Sequence, residues 1–139
     1  MNVNPVVIRV LRSPLHRLLS RTTMLVTYTG RKSGHQITVP VNYVAQGEHV
    51  WVLSLTRRTW WRNFQPSAPA TLRLRGRNVS VQGTAVQDEA ELLAGLAVVV
   101  KGMPQVARYL HIWFDENGVP DPDDLRDALK GRVLLRFTP

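Results

Sequence analysis

The 139-residue sequence contains no cysteine, which excludes disulfides, iron–sulfur clusters and thiolate zinc sites. The longest apolar run covers residues 92–100 and is too short to cross a bilayer. The N-terminus lacks the continuous hydrophobic segment of a signal peptide. The four histidines do not have the spacing that is typical of metal ligands; they are His16, His35, His49 and His111. These absences predict a cytoplasmic protein that folds without disulfides or metal.

Acidic residues are almost absent from the first part of the chain. Residues 1–80 contain twelve lysines and arginines and a single acid, Glu48, whereas residues 81–139 contain six basic and nine acidic residues. Nucleic acid, an anionic membrane or a polyanionic cofactor would each fit so basic a segment. A hydrolytic site with paired carboxylates is disfavoured there, because only one carboxylate is available.

The apolar periodicity predicts one α+β domain over residues 1–139. Residues 5–20 are a predicted amphipathic helix, whose apolar face could pack on the domain or contact a membrane. Six runs with period-two alternation are predicted strands, and three later segments have helical spacing. The strands are 23–28, 36–44, 49–55, 70–75, 79–85 and 133–137, and the helices cover about 88–102, 105–114 and 122–130.

Six mostly antiparallel strands, with a late strand returning to the sheet, favour a closed or split β-barrel with peripheral helices over an open sheet, because closure removes exposed edges. Pro40 indicates an edge, a bulge or a corner in the second strand, and Gly76-Arg77 is a predicted two-residue hairpin loop. Thr59 is the predicted cap of a short helix over residues 60–65. The second C-terminal helix is predicted to have one apolar face, formed by Val106, Tyr109, Leu110 and Trp113.

A glycine-rich basic loop, Gly30-Arg31-Lys32-Ser33-Gly34, lies between the first two predicted strands. The two glycines permit positive φ and leave backbone N–H groups accessible, while the residues between them add charge and a hydroxyl. Such a loop is suited to binding a phosphate or a carboxylate. The plain alternative is a hairpin turn with solvated basic residues.

A second cluster begins at Arg57 and Arg58 and continues through Trp60-Trp61-Arg62-Asn63. Arginine binds phosphate bidentately, and tryptophan stacks on flat ring systems. Because adjacent helical residues point about 100° apart, one tryptophan can fill the core while the other lines a cleft. The chain shows no nucleophile–base arrangement, so catalysis would depend on a bound cofactor.

The loop Thr29-Gly30-Arg31-Lys32-Ser33-Gly34, followed by Pro40, Tyr43 and Trp60-Trp61-Arg62-Asn63-Phe64, resembles the deazaflavin (F-420)-dependent nitroreductase and quinone reductase family of actinobacteria. The resemblance covers about residues 10–87. It implies a split β-barrel like that of FMN-binding pyridoxamine phosphate oxidases, in which pairing as a homodimer is common. It also implies binding of coenzyme F-420, a deazaflavin with a phosphate and an acidic tail, and hydride transfer to a quinone, enone or nitro-type acceptor.

The resemblance also implies the binding residues. Arg31, Lys32, Ser33 and Gly34 would meet the phosphate or tail, and Arg57, Arg58, Trp60, Trp61 and Asn63 would line the deazaflavin cleft. No catalytic residue is assigned, although Tyr28 or Tyr43 could supply a proton. Many family members have a longer, glycine-rich segment between Ser54 and Trp60, where this chain has only Leu55–Thr59.

The sequence is also compatible with other ligands and partners. FMN could replace the deazaflavin, because both are flat, phosphorylated and anionic. A non-catalytic binder of a cofactor, haem or lipid could use the same barrel. Residues 5–20 could attach the protein to an anionic membrane. Nucleic acid is disfavoured, because the chain lacks a helix-turn-helix, zinc or ribonucleoprotein motif.

Overall fold

The computed structural model describes residues 22–139. In this part of the chain, one antiparallel sheet is followed by a helical segment that leads into the last strand. The strands are β1 (Thr23–Thr29), β2 (Gln36–Asn42), β3 (Val44–Gln46), β4 (His49–Leu55), β5 (Ser67–Leu74), β6 (Arg77–Ala85) and β7 (Arg132–Thr138). The α-helices are α1 (Glu89–Gly102), α2 (Pro104–Tyr109) and α3 (Pro122–Ala128), and a 3-10 helix, Thr59–Phe64, connects β4 to β5. The helix predicted over residues 5–20 lies outside the described residues.

The strand order β2-β1-β5-β6-β7-β4-β3 curls the sheet into a split barrel. All neighbouring strands in this order are antiparallel. The two edge strands, β2 and β3, are consecutive in the chain and are separated by Tyr43 alone. The chain therefore connects the two edges directly, which confirms the predicted fold class with seven described strands rather than six.

The additional strand arises because the predicted strand over residues 36–44 is divided at Tyr43. Residues up to Asn42 pair with β1, and residues from Val44 onward pair with β4. The Tyr43 N–H donates to the carbonyl oxygen of Thr22 at 3.0 Å instead of joining either ladder. Pro40 lies in the edge strand β2, where proline is tolerated and where the sequence predicted it.

Two apolar cores lie on opposite faces of the sheet. The barrel interior contains the fully buried Phe64 and Phe137. On the outer face of β4 and β7, Trp51 and Leu134 pack with Leu96 of α1. Because fully burying a large apolar side chain contributes roughly 1.5–3 kcal/mol, the two cores together hold sheet and helices in one arrangement.

Two of the α-helices begin at an aspartate that caps the first turn. Asp88 accepts a hydrogen bond from the Glu91 N–H at 3.0 Å and starts α1, as predicted. The Asp121 carboxylate accepts from the N–H groups of Asp123 and Asp124 and starts α3, also as predicted. Each such cap contributes about 1 kcal/mol. None of the helices within residues 22–139 combines the length and the hydropathy needed to span a membrane.

Two local predictions were wrong because the backbone turns at other residues. Leu74 pairs with Arg77, so the β5–β6 loop is Arg75-Gly76 rather than Gly76-Arg77. Both loop residues have positive φ, at 51° and 80°, which is typical of a type I′ turn that matches the strand twist. The 3-10 helix begins after Arg58 without a side-chain cap, so Thr59 does not cap it.

The second C-terminal helix is shorter than predicted. Helix α2 ends at Tyr109 instead of continuing to residue 114, and His111 adopts a φ of 57° in the left-handed region. Tyr109 is 76% exposed and Trp113 is 78% exposed, so neither lies on a buried helix face.

Gly83 of β6 packs directly against Phe64 of the 3-10 helix. A Cβ atom there would lie 2.6 Å from Cδ1 of Phe64 and 2.7 Å from Cε1 of Phe137, and both rings are fully buried. We expect Gly83→Ala to lower the free energy of unfolding by about 1–3 kcal/mol, because the core must shift to admit the methyl group. Urea denaturation measures this change. The exposed Ser80→Ala on the same strand is the control, with an expected change below about 0.5 kcal/mol; an unchanged Gly83→Ala variant would contradict the packing.

Candidate functional site

The split in the barrel opens a cleft of about 250 Å³ between β2 and β4. Its walls are Val39–Asn42 and Val52–Leu55, and Arg58 and Trp60 complete the lining. Protein pockets for whole small ligands measure about 300–1,000 Å³. This cleft therefore suits one part of a larger ligand.

The polar side chains of the cleft present hydrogen-bond donors. Trp60 Nε1 donates to Ser54 Oγ at 3.0 Å, so the serine O–H remains a donor. Asn42 Oδ1 accepts from the Thr23 hydroxyl at 3.1 Å, which leaves the amide N–H groups of Asn42 as donors. Arg58 is the third polar side chain, and the lining includes no carboxylate. The cleft therefore favours a ligand rich in acceptor oxygen atoms.

Both tryptophans of the 3-10 helix are buried, Trp60 at 3% and Trp61 at 9% exposure. Trp60 contributes to the cleft wall, whereas Trp61 is absent from the lining. Trp61 Nε1 donates to the Thr56 carbonyl at 3.0 Å, and the Arg62 guanidinium lies 5.6 Å from the Trp61 ring centroid. Trp61 thus connects the preceding turn to the helix.

The glycine loop, Gly30–His35, is held closed by its own hydrogen bonds. The Gly30 N–H donates to the His35 carbonyl at 2.8 Å, and the Gly34 N–H donates to the Gly30 carbonyl at 2.9 Å. Gly34 has a φ of 72°, which a residue with a side chain would adopt only with strain. Ser33 Oγ accepts from the His35 N–H at 3.2 Å. The Lys32 side chain is exposed at the tip of this turn.

Arg31 fastens the glycine loop to the 3-10 helix. Its backbone N–H donates to Asn63 Oδ1 at 2.9 Å. Its Nη1 donates to the carbonyl oxygens of Arg62 at 2.7 Å and of Gln65 at 3.2 Å. Asn63 Nδ2 in turn donates to the Trp60 carbonyl at 2.8 Å. We call these contacts the Arg31–Asn63 clamp; they set the position of the loop relative to the cleft wall.

The basic side chains near the cleft have no acidic partners. The ion pairs within residues 22–139 involve Arg126, Lys130 and Arg136, all in the C-terminal part. The exposed cations of the glycine loop and of the 3-10 helix region form none; these are Lys32, Arg57, Arg58 and Arg62. In the same described residues, no group of three or more His, Asp or Glu could hold a metal ion. The electrostatics therefore favour an anion.

The 3-10 helix separates the cleft from the glycine loop by a defined distance. Arg58 and Trp60 line the cleft at its start, and Asn63 contacts the loop at its end. Trp60 and Asn63 are three residues apart, which at about 2 Å rise per residue corresponds to roughly 6 Å along the helix axis. A ligand with a flat group in the cleft and an anionic group about that far away would contact both ends.

The two tyrosines considered as proton donors are buried in the barrel, with Tyr28 at 4% and Tyr43 at 3% exposure. The Tyr28 ring packs against Phe64, with 5.4 Å between the ring centroids. Burial raises the pKa of Tyr28 above its ordinary value of 10.0, so the hydroxyl stays protonated at neutral pH. Neither tyrosine is among the residues that line the cleft.

Sequence reasoning missed two polar residues of the cleft, Asn42 and Ser54. A signal for Ser54 was present, because it is the polar member of an inward-facing alternation with Val50 and Val52. Asn42 has no comparable signal. It reaches the cleft because the chain changes pairing partner at the next residue.

The sequence and the fold were compared with known proteins. The model of the F420H(2)-dependent quinone reductase family matches residues 7–111, whereas the curated proteins searched by sequence gave no match. A solved F420-H2-dependent reductase, FDR-A, is similar with a TM-score of 0.55 and 17% identity over 84% of this chain and 96% of that chain.

Two further solved structures share the fold. A structure described as a domain-swapped dimer has a TM-score of 0.55 and 16% identity over 84% of this chain and 81% of that chain. An FAD and heme binding protein from Mycobacterium smegmatis has a TM-score of 0.51 and 16% identity over 91% of this chain and 66% of that chain. At these identities the three structures establish the fold.

Removing the side chain of Asn63 tests the Arg31–Asn63 clamp. We expect trypsin to cleave the glycine loop after Arg31 or Lys32 about threefold to tenfold faster in Asn63→Ala, because a typical hydrogen bond contributes about 0.5–1.5 kcal/mol against local opening. Limited proteolysis with mass spectrometry measures the rate. Asn78→Ala, an exposed asparagine on β6, should be cleaved in this loop at the wild-type rate. Wild-type cleavage of Asn63→Ala would show that the clamp does not hold the loop.

The raised pKa of Tyr28 predicts a pH dependence of stability. As the pH rises, the unfolded chain loses the tyrosine proton near the ordinary pKa of 10.0, before the folded protein does. The contribution is therefore complete below that pH and is lost as the pH rises through the folded pKa. We expect the melting temperature to fall more steeply above pH 10 in wild type than in Tyr28→Phe. The exposed Tyr109→Phe is the control and should follow wild type; identical curves for all three proteins would refute the assignment.

Proposed function

This chain belongs to the F420H(2)-dependent quinone reductase family, and on that premise we propose that it binds coenzyme F-420 and reduces a quinone or a related enone or nitro acceptor. One observation carries the proposal. A cleft whose polar side chains present donors lies one short helix away from a clamped loop that bears the unpaired cation Lys32. A flat ring with carbonyl oxygens and an anionic substituent matches both ends of this arrangement.

The residues present fit the deazaflavin cofactor. The ring would lie against Trp60 in the cleft, with Arg58 donating hydrogen bonds to its oxygens. Lys32 and Ser33 would bind the phosphate or tail at the glycine loop, and the φ of Gly34 keeps that loop in its closed turn.

The remaining predicted site residues would act without touching the ring. Arg31 and Asn63 use their hydrogen bonds inside the protein and would position the loop. Arg57 would add positive potential next to the cleft. Trp61 is buried outside the cleft and would support the helix.

When bound, the reduced deazaflavin supplies a hydride equivalent to the acceptor. The chain contributes orientation, since the apolar walls formed by Val39 and Val52 align flat groups and exclude water. Negative charge develops on the acceptor oxygen during reduction, and the Ser54 hydroxyl would stabilise it as a hydrogen-bond donor. The lining includes no carboxylate that would oppose this charge.

FMN is the second candidate cofactor, because it is also flat, phosphorylated and anionic and would match the same cleft and basic loop. Haem is disfavoured at the cleft, since the lining offers no histidine, methionine, cysteine or tyrosine as an axial ligand. A homodimer is also proposed, in line with the domain-swapped dimer among the similar structures.

Loss of the Lys32 charge tests the anion end of the site. We expect Lys32→Ala to weaken F-420 binding at least tenfold, because a hydrogen bond to a charged group contributes about 1.5–3 kcal/mol. Fluorescence titration at two salt concentrations measures the affinity, with FMN titrated in parallel. Lys130→Ala removes a cation that is paired with Asp127 and should bind F-420 like wild type. Equal affinities of wild type and Lys32→Ala would remove the glycine loop from the site.

Turnover separates an enzyme from a cofactor carrier. We expect the wild-type protein to oxidise reduced F-420 in the presence of a soluble quinone. The return of the absorbance of oxidised deazaflavin measures the rate. Ser54→Ala should keep cofactor binding within about threefold but lower kcat by tenfold or more, since one donor to the developing charge is lost. Tight binding of F-420 without turnover of quinone, enone or nitro compounds would favour the carrier.

A further inference from the structure

A second cavity, of about 360 Å³, lies among the C-terminal helices. It shares no residue with the cleft between β2 and β4. The cavity is bounded by the end of α1, by α2 and by the segment that follows α2. Its lining consists of Val100, Lys101, Pro104, Ala107, Arg108, Ile112 and Phe114.

The floor of the cavity is apolar and fixed. Val100, Ala107 and Ile112 are 1%, 4% and 8% exposed, respectively. The left-handed backbone of His111 turns the chain back after α2, and the Ile112 N–H then donates to the Ala107 carbonyl at 3.0 Å. The floor is therefore part of the outer core and is not a gap between mobile side chains.

The rim of the cavity carries two cations. Lys101 lies in the last turn of α1, and Arg108 lies in the last turn of α2. Both are exposed, and within residues 22–139 neither takes part in an ion pair. A cation at a helix C-terminus complements the helix dipole, which accounts for each residue singly. The helix dipole does not explain why two unpaired cations border the same apolar cavity, whose lining contains no acidic residue.

One residue of the lining, Phe114, belongs to a group of exposed large hydrophobic residues. The exposed large hydrophobic residues of the described chain all fall within 109–119; they are Tyr109, Trp113, Phe114 and Val119. The Trp113 backbone is held on both sides, since its N–H donates to Asp124 Oδ2 at 2.9 Å and its carbonyl accepts from the Asp121 N–H at 2.8 Å. An indole that is 78% exposed on a fixed backbone indicates a contact surface.

We propose that this cavity binds an amphipathic anion, namely a long-chain carboxylate. The carboxylate would lie between Lys101 and Arg108, and the chain would cover Val100, Ala107 and Ile112. Charge complementarity selects this occupant, because a neutral lipid would leave both cations without a partner. An anionic bilayer fits less well, since Asp115 and Glu116 directly follow Phe114. The proposal does not depend on the cofactor site.

Three probes test the charge and the chain separately. The purified protein, without added cofactor, is titrated by calorimetry with laurate below its micelle concentration, with dodecanol and with acetate. We expect saturable binding of one laurate per chain, at least tenfold weaker binding of dodecanol, and no binding of acetate. Absence of saturable laurate binding, or equal binding of laurate and dodecanol, would overturn the proposal.

Variants locate the binding at this cavity. The double variant Lys101→Gln with Arg108→Gln should weaken laurate binding at least tenfold, while Lys130→Gln in the turn that ends α3 should leave it unchanged. Circular dichroism confirms that each variant is folded. Loss of laurate binding in Arg58→Gln but not in the double variant would move the ligand to the barrel cleft and overturn the proposal. A different result would also overturn the proposal. It is that laurate does not bind, while the protein forms a concentration-dependent dimer or sediments with vesicles and the Trp113→Ser variant loses that behaviour.

Discussion

The burial of Phe64 in the barrel interior determines the arrangement of the candidate site. Its ring is fully buried and packs edge to face against Phe137 of β7 and Tyr28 of β1, with centroid distances of 5.4 Å in both cases. Gly83 leaves room for the ring on β6. One side chain of the 3-10 helix is therefore held by three strands, and the rest of the helix has little freedom to shift.

The other residues of the 3-10 helix acquire their roles from this anchor. With about three residues per turn, Trp60 and Asn63 lie on the same side of the helix, one turn apart along its axis. Trp60 faces the cleft and Asn63 faces the glycine loop. The same short helix thus forms a wall for a flat group and a support for a basic loop. An error in its position would displace both ends of the site together.

Much of the fold could be predicted from local patterns, because strand alternation and carboxylate caps depend on near neighbours in the chain. The Arg31–Asn63 clamp could not, since it joins residues 32 positions apart and uses groups that also suit anions. Residue type alone does not show whether a guanidinium is satisfied inside the protein. The exposure of Trp113 was missed for a related reason: periodicity identifies an apolar face but not whether another element covers it.

The connection at Tyr43 makes the barrel a ring that the polypeptide itself closes, since the two sheet edges are successive strands of the chain. Side chains alternate between the two faces of a sheet with a period of two. Adding or removing one residue here would therefore move the inward-facing side chains of one of these strands to the outer face. The cleft lies next to this connection. Loops elsewhere on the sheet can change length during evolution, whereas this connection is constrained in length as strictly as the core is constrained in volume.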